Sequence, residues 1–227
     1  MATFPTQVLA GVTVPDTPLI TKALAYAREH VSHITYNHVM RSWLCGQVIA
    51  NQIPHLKDRD VEAQALGTIL HDLGWAETPE LISSDKRFEV DGANAARAFL
   101  AREGTKEQWD KHRIQLVWDA IALHTTTSIA AHKEAEVQAC MMGVMSDFLG
   151  PDQAFGSLIG RGVWEEIIKE YPRLGFKEGV KEVLCGLCKT KPETTYDNFV
   201  ADFGETFVDG YSRDGKRGLD LIMATEA

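Results

Sequence analysis

Four imidazole and carboxylate side chains are spaced along the chain in a pattern that favours metal binding. His71 and Asp72 are adjacent at the end of an apolar run, with His38 upstream and Asp147 downstream. Adjacent side chains leave a helix about 100° apart, so His71 and Asp72 converge on one ion only near a helix end. Imidazole and carboxylate ligands together suit zinc, iron, manganese or nickel. We therefore predict that His38, His71, Asp72 and Asp147 bind one metal ion.

Single members of this set have simpler alternatives. A lone His38 is more often a satisfied core or surface histidine than a ligand. Asp147 lies in an apolar stretch, where a buried carboxylate needs a cation or hydrogen-bond donors, and an arginine or lysine partner would make it purely structural. The combination of His38, the His71-Asp72 pair and Asp147, each on a separate predicted helix, favours the metal.

Helical periodicity dominates the elements that must position these residues, and strand-like alternation is nearly absent, which predicts an all-α protein. We expect one domain over residues 15–212, a loose N-terminal arm over 1–14 and a C-terminal tail over 213–227. Asp91 is expected to cap a helix after an irregular segment at 75–90. Helices are expected at about 18–30, 35–53, 60–72, 93–103, 107–124, 135–148, 163–170, 177–188 and 195–211.

Composition narrows the classes of function. Hydrophobic residues make up 44% of the 227 residues and charged residues 24%, which is typical of a globular protein, and the net charge is −9. Nucleic-acid binding is not expected, because the net charge is negative and the sequence shows no basic patch that could bind phosphates. The sequence shows no membrane span and no secretory signal pattern. The four cysteines suit reduced, buried thiols of a cytoplasmic protein, and Cys185 and Cys188 lack the second pair that a structural zinc site needs.

Short motifs surround the predicted ligands: YNHVMR at 36–41, LHDLG at 70–74, FEVDGA at 88–93 and IALH at 121–124. The order His38, His71-Asp72, Asp147 resembles the HD-domain superfamily of metal-dependent hydrolases. The longer motifs are similar to those of the fungal cyanamide hydratases, over about residues 24–207. This resemblance implies a single-domain HD-type helical bundle. It also implies one Zn²⁺ on the four predicted ligands, while Fe²⁺, Mn²⁺ and Ni²⁺ stay open.

The resemblance implies a metal-dependent hydro-lyase that adds water to cyanamide, or to a related small nitrile-like substrate, through a metal-activated hydroxide. Asp72 and His124 are the expected catalytic residues, and His124 would orient the substrate or transfer a proton. Alternatively, His124 only interacts with the dipole at the C-terminus of its helix. The family carries acidic residues after this histidine, whereas this chain has Thr125–Thr127. This difference changes the polarity of the expected pocket wall and therefore bears on which substrate is bound. An HD-type phosphohydrolase, with Arg41 or Arg87 meeting phosphate, is the second hypothesis. A catalytically silent metal-binding module is the third.

Several residues are candidates for contact with a small-molecule substrate. Trp75 is either a pocket wall or a core aromatic, and Asn37 bonds either substrate or backbone. Glu89 either orients a metal-bound histidine or begins a helix, and Lys86 either meets an anion or is solvated. The expected substrate-binding set is Asn37, Trp75, Lys86, Glu89, His124 and Thr125. Neither nucleic acid nor membrane is expected as a partner, and a homo-oligomer stays open.

Overall fold

The computed structural model describes residues 4–226, and in this range the protein is all-α apart from one hairpin, which confirms the predicted fold class. The strands are β1 (Thr6–Leu9) and β2 (Val12–Pro15). The helices are α1 (Pro18–His30), α2 (His33–Gln52), α3 (Val61–Ile69), α4 (Phe88–Glu103), α5 (Lys111–Leu123), α6 (Thr127–Ala130), α7 (Ala135–Leu149), α8 (Arg161–Glu170), α9 (Phe176–Thr190), α10 (Val200–Phe207) and α11 (Gly218–Met223). Short 3₁₀ turns lie at Pro54–Leu56, His71–Trp75, Pro79–Leu81, Ala154–Leu158 and Pro192–Thr194.

The chain divides into two compact units. Among the described residues, the first comprises 4–82 and 88–174, and the second comprises 83–87 and 175–226. All four predicted metal ligands belong to the first unit. In the second unit, α9 packs against α10, and Cys188 on α9 donates to the carbonyl oxygen of Val200 at 3.3 Å. The prediction of one domain over residues 15–212 remains a prediction, because a division into compact units does not test it.

The N-terminal segment forms a hairpin, so the prediction of a loose arm is wrong for its described part; residues 1–3 lie outside the described range. Strands β1 and β2 are antiparallel, with Thr6 opposite Pro15. Ala10 and Gly11 have φ of 46° and 76°, as a tight turn of type I′ requires. Val12 and Val14 alternate into the core, and their burial ties the hairpin to the helices.

Helix α2 is the central element of the first unit. It is buried along most of its length, including Trp43 and Leu44, and packs most extensively against α7. Gly46 and Gly143 lie at this contact, where a Cβ atom on Gly143 would overlap the carbonyl oxygen of Ser42. The two backbones therefore approach closely, and this brings one face of α2 against the last turns of α7.

Helix ends place the functional candidates. Asp60 caps α3 by accepting from the amide of Ala63, and after Ile69 the chain tightens into the 3₁₀ turn that contains the His-Asp pair. Helix α4 begins at Phe88, five residues earlier than predicted. Asp91 is therefore a buried residue of its first turn and not its cap. This early start is possible because Gly74 has no side chain to overlap the carbonyl of Phe88.

None of the helices in residues 4–226 is long and apolar enough to cross a membrane.

Candidate metal centre

Three side chains from α2 and the 3₁₀ turn converge at a buried point. The Nε2 atoms of His38 and His71 are 3.3 Å apart, and Oδ2 of Asp72 lies 3.1 Å from His71 Nε2 and 3.6 Å from His38 Nε2. Each residue is at most 1% exposed. Ligands of a tetrahedral zinc, about 2.0–2.1 Å from the ion, lie about 3.3 Å from one another. The three donor atoms thus have the mutual spacing of metal ligands, and the group could hold a metal ion.

The backbone fixes which imidazole nitrogen of His71 and His124 faces inward. His71 lies two residues after the end of α3, and its Nδ1 lies 2.7 Å from the carbonyl oxygen of Thr68. His124 directly follows the last residue of α5, and its Nδ1 lies 2.6 Å from the carbonyl oxygen of Ile121. The last carbonyls of a helix lack partners within it, and a carbonyl can only accept. Nδ1 therefore donates in both histidines, and Nε2 is left for the buried centre.

Asp147 lies outside this group of three candidate metal ligands. Its Oδ2 accepts from His38 Nδ1 at 2.6 Å, on the ring nitrogen that does not face His71. Arg41 binds both carboxylate oxygens, with Nε 2.7 Å from Oδ1 and Nη2 2.8 Å from Oδ2. Burial opposes ionisation, but the hydrogen bonds from His38 and Arg41 lower the pKa of Asp147 to about 2. The structure therefore brings three of the four predicted ligands together and places the fourth behind His38.

Asp72 is the clearest electrostatic signal for a cation. It is buried, and neither carboxylate oxygen has a hydrogen-bond partner among the described residues. Burial raises its pKa, but the neighbouring His71, His38 and His124 together outweigh this effect and the net pKa is lowered. An ionised, buried carboxylate without donors is costly, and a metal ion at the shared point would satisfy it. The residues therefore fit a divalent metal.

His124 adjoins the centre without belonging to the group of three. It is 2% exposed, its ring centroid is 4.8 Å from that of His71, and its Nε2 is 3.8 Å from Asp72 Oδ1. Burial, with a smaller contribution from His71, lowers the pKa of His124 to about 4. The imidazole is therefore neutral at pH 7 and can accept a proton or a hydrogen bond at Nε2.

Aromatic rings border the histidines. Trp75 stacks on His38 with a centroid distance of 6.4 Å, and the Phe148 ring is 5.1 Å from that of His38. The Phe88 ring lies 5.4 Å from that of Trp75 and 5.8 Å from that of His124. Among the described residues the buried Nε1 of Trp75 has no hydrogen-bond partner. Sequence reasoning missed Phe88 and Phe148, although each is adjacent to a named candidate, Glu89 and Asp147.

The other predicted substrate contacts fall in three places. Thr125 donates to Glu89 Oε1 at 2.6 Å, so these two meet, and Glu89 is buried. Asn37 is buried and donates from Nδ2 to the carbonyl oxygen of Pro172 at 2.9 Å, which matches the backbone alternative. Lys86 lies in the second unit, where its exposed ammonium pairs with Asp85 at 2.7 Å.

The sequence matches no protein-family model, and no curated protein matches it significantly. The resemblance to the HD-domain superfamily and the fungal cyanamide hydratases therefore stays a prediction that rests on its motifs.

Proposed function

We propose that this protein is a metal-dependent hydro-lyase that adds water to cyanamide, giving urea, or to a related small nitrile-like compound. The observation that carries the proposal is the buried group of His38, His71 and Asp72 with the neutral His124 beside it. Zinc is the proposed metal, because two imidazoles and one carboxylate form a common ligand set of catalytic zinc sites. A divalent metal with three protein ligands keeps a free position and lowers the pKa of a bound water toward neutrality.

The protein's own residues would position the substrate and move protons. His124 holds its Nδ1 proton on the carbonyl of Ile121, which leaves Nε2 as the acceptor for a proton of the added water. The same nitrogen would return that proton to the substrate nitrogen. The hydroxyl of Thr125 is held by Glu89, so this pair forms a fixed polar contact next to His124 in the chain.

The surroundings favour a small, uncharged substrate over a phosphate ester. Trp75 and Phe148 flank His38 with apolar surface. A phosphate ester needs cationic groups to meet its charge. The guanidinium of Arg41 is fully buried and already binds Asp147 through two hydrogen bonds. Because Arg41 is already paired with Asp147, the phosphohydrolase hypothesis is the less favoured of the two.

The test combines metal analysis with substrate assays. Purified protein is expected to contain about one equivalent of zinc or another divalent metal, and to release urea from cyanamide. His71→Ala should lose both metal and urea formation, whereas the matched control His132→Ala, at an exposed histidine, should lose neither. Release of phosphate from nucleotide monophosphates would instead support the phosphohydrolase. A metal-loaded protein that acts on neither cyanamide nor nucleotide monophosphates would support the third hypothesis, a catalytically silent metal-binding module.

A further inference from the structure

We propose that Asp147 is a positioning residue that holds His38 for the metal, and that it is not itself a metal ligand. Arg41 in turn holds Asp147. This inference rests on the proposed metal centre and concerns which side chains touch the ion.

The hydrogen bonds of Asp147 occupy the sites that a metal would need. A carboxylate offers about four lone-pair positions. Oδ2 accepts from His38 Nδ1 and Arg41 Nη2, at 2.6 and 2.8 Å. Oδ1 accepts from Arg41 Nε at 2.7 Å and from Arg173 Nη2 at 3.3 Å. Coordination of a metal by Asp147 would therefore displace at least one charge-assisted hydrogen bond inside the core.

Arg41 is itself fixed from its other side. Its Nη1 donates to the carbonyl oxygens of Tyr171 and Pro172, at 3.1 and 3.2 Å. The side chain is fully buried, so its position is set by packing as well as by these bonds. Arg173 adds a second contact from the same segment, to the backbone carbonyl of Asp147. The carboxylate is thus held rigidly at the rear of His38.

The arrangement has a defined effect on His38. A carboxylate that accepts from Nδ1 fixes the tautomer and the ring orientation, and it makes Nε2 a stronger donor to a metal. Removal of such a partner typically weakens metal binding about 10–100-fold without abolishing it. A direct ligand behaves differently, because its loss removes one of the bonds to the ion.

The first test uses the wild-type protein, so it does not depend on the folding of a variant. A crystal structure of the zinc-loaded protein, with anomalous data at the zinc edge, should show bonds to His38, His71 and Asp72. Asp147 should remain hydrogen-bonded to His38 and Arg41. A carboxylate oxygen of Asp147 about 2.0–2.2 Å from the zinc overturns the inference.

The second test compares zinc affinities by competition with a chromogenic chelator. Asp72→Asn should lose stoichiometric zinc. Asp147→Asn, whose amide oxygen can still accept from His38, should keep one zinc with about 10–100-fold weaker affinity, and Asp147→Leu should bind more weakly again. Asp152→Asn, at an exposed aspartate paired with Arg161, is the matched control and should bind like wild type.

Circular dichroism and urea unfolding of each metal-free variant establish that it is folded. Loss of stoichiometric zinc in folded Asp147→Asn, as in Asp72→Asn, overturns the inference, and so does wild-type affinity. The inference and the proposed function fail separately. If zinc binds and urea forms but Asp147 touches the ion, the inference alone is wrong. If urea never forms while Asp147 remains on His38 beside bound zinc, the inference stands without the proposed function.

Discussion

The Nε2 atoms of His38 and His71 face each other at 3.3 Å inside the core. Each ring donates its Nδ1 proton outward, to Asp147 and to the carbonyl of Thr68 respectively. Two unprotonated nitrogens repel at this distance, so the native arrangement needs a cation or a shared proton between them. The stability of the protein should therefore depend on what occupies this point.

Metal removal should destabilise the fold. A ligand present at 100 times its dissociation constant adds about 2.7 kcal/mol to the free energy of unfolding. We expect the Tm from differential scanning calorimetry to fall on treatment with EDTA and to recover on addition of zinc. His71→Ala should show no zinc-dependent shift, and His132→Ala should shift like wild type. An identical Tm with and without zinc in the wild type would contradict a metal centre at this position.

Arg41→Met should be severely destabilising, because it leaves the Asp147 carboxylate buried without its main partner. Breaking a buried ion pair in this way costs about 3–5 kcal/mol. The exposed pair of Arg161 and Asp152 provides the comparison, since its side chains are 64% and 71% exposed. Arg161→Met should change the free energy of urea unfolding by less than about 1 kcal/mol. Equal effects of the two substitutions would show that burial does not govern the Arg41 pair.

Two glycine-to-alanine substitutions should act with opposite signs. In Gly143→Ala the new methyl group meets the carbonyl of Ser42 at the contact of α2 and α7, and overpacking of this kind costs about 1–3 kcal/mol. Gly186 lies within α9 with nothing near its Cβ position. Gly186→Ala should stabilise by about 0.5–1 kcal/mol through helix propensity. Urea unfolding of both variants measures this, and a neutral Gly143→Ala would mean that the helices separate at little cost.

The thiols should be unreactive in the native state. All four cysteines are buried, and burial raises the pKa of Cys140 to about 12 and that of Cys45 further still. Because the thiolate is the reactive form, Ellman's reagent should label the native protein far more slowly than free cysteine. In denaturant it should report four thiols per chain. Rapid labelling of any cysteine in the folded protein would show that its part of the core opens readily.

Periodicity and residue type were sufficient to predict nine of the eleven helices in the described residues and three residues of the candidate metal centre. The short helices α6 and α11 were not predicted, and α11 lies within the predicted C-terminal tail. The His38, His71 and Asp72 group could be anticipated because a buried His-Asp pair at a helix end has few satisfactory partners apart from a cation. The orientation of Asp147 could not, because it depends on how closely α7 approaches Arg41 across the α2 contact. Sequence spacing along α7 contains no measure of that distance.

The boundaries show where local signals compete. The hairpin was missed because its strands have only four residues each, so that the Ala-Gly turn, rather than alternation, is the main signal. Helix α4 starts early because Gly74 admits the Phe88 backbone, which is a tertiary effect. Helix α10 is shorter than predicted, since Thr195 and Tyr211, both within the predicted helix, lie outside it and share a hydrogen bond of 2.6 Å.

The helix-end carbonyls that orient His71 and His124 have a consequence for how this centre tolerates mutation. Every residue type at positions 68 and 121 supplies the same carbonyl oxygen, so drift at those positions leaves both imidazoles aimed correctly. His38 has no such protection, because its orientation depends on the side chain of Asp147. Substitutions in α7 are therefore expected to alter the metal affinity of the candidate centre far more readily than substitutions in α3 or α5.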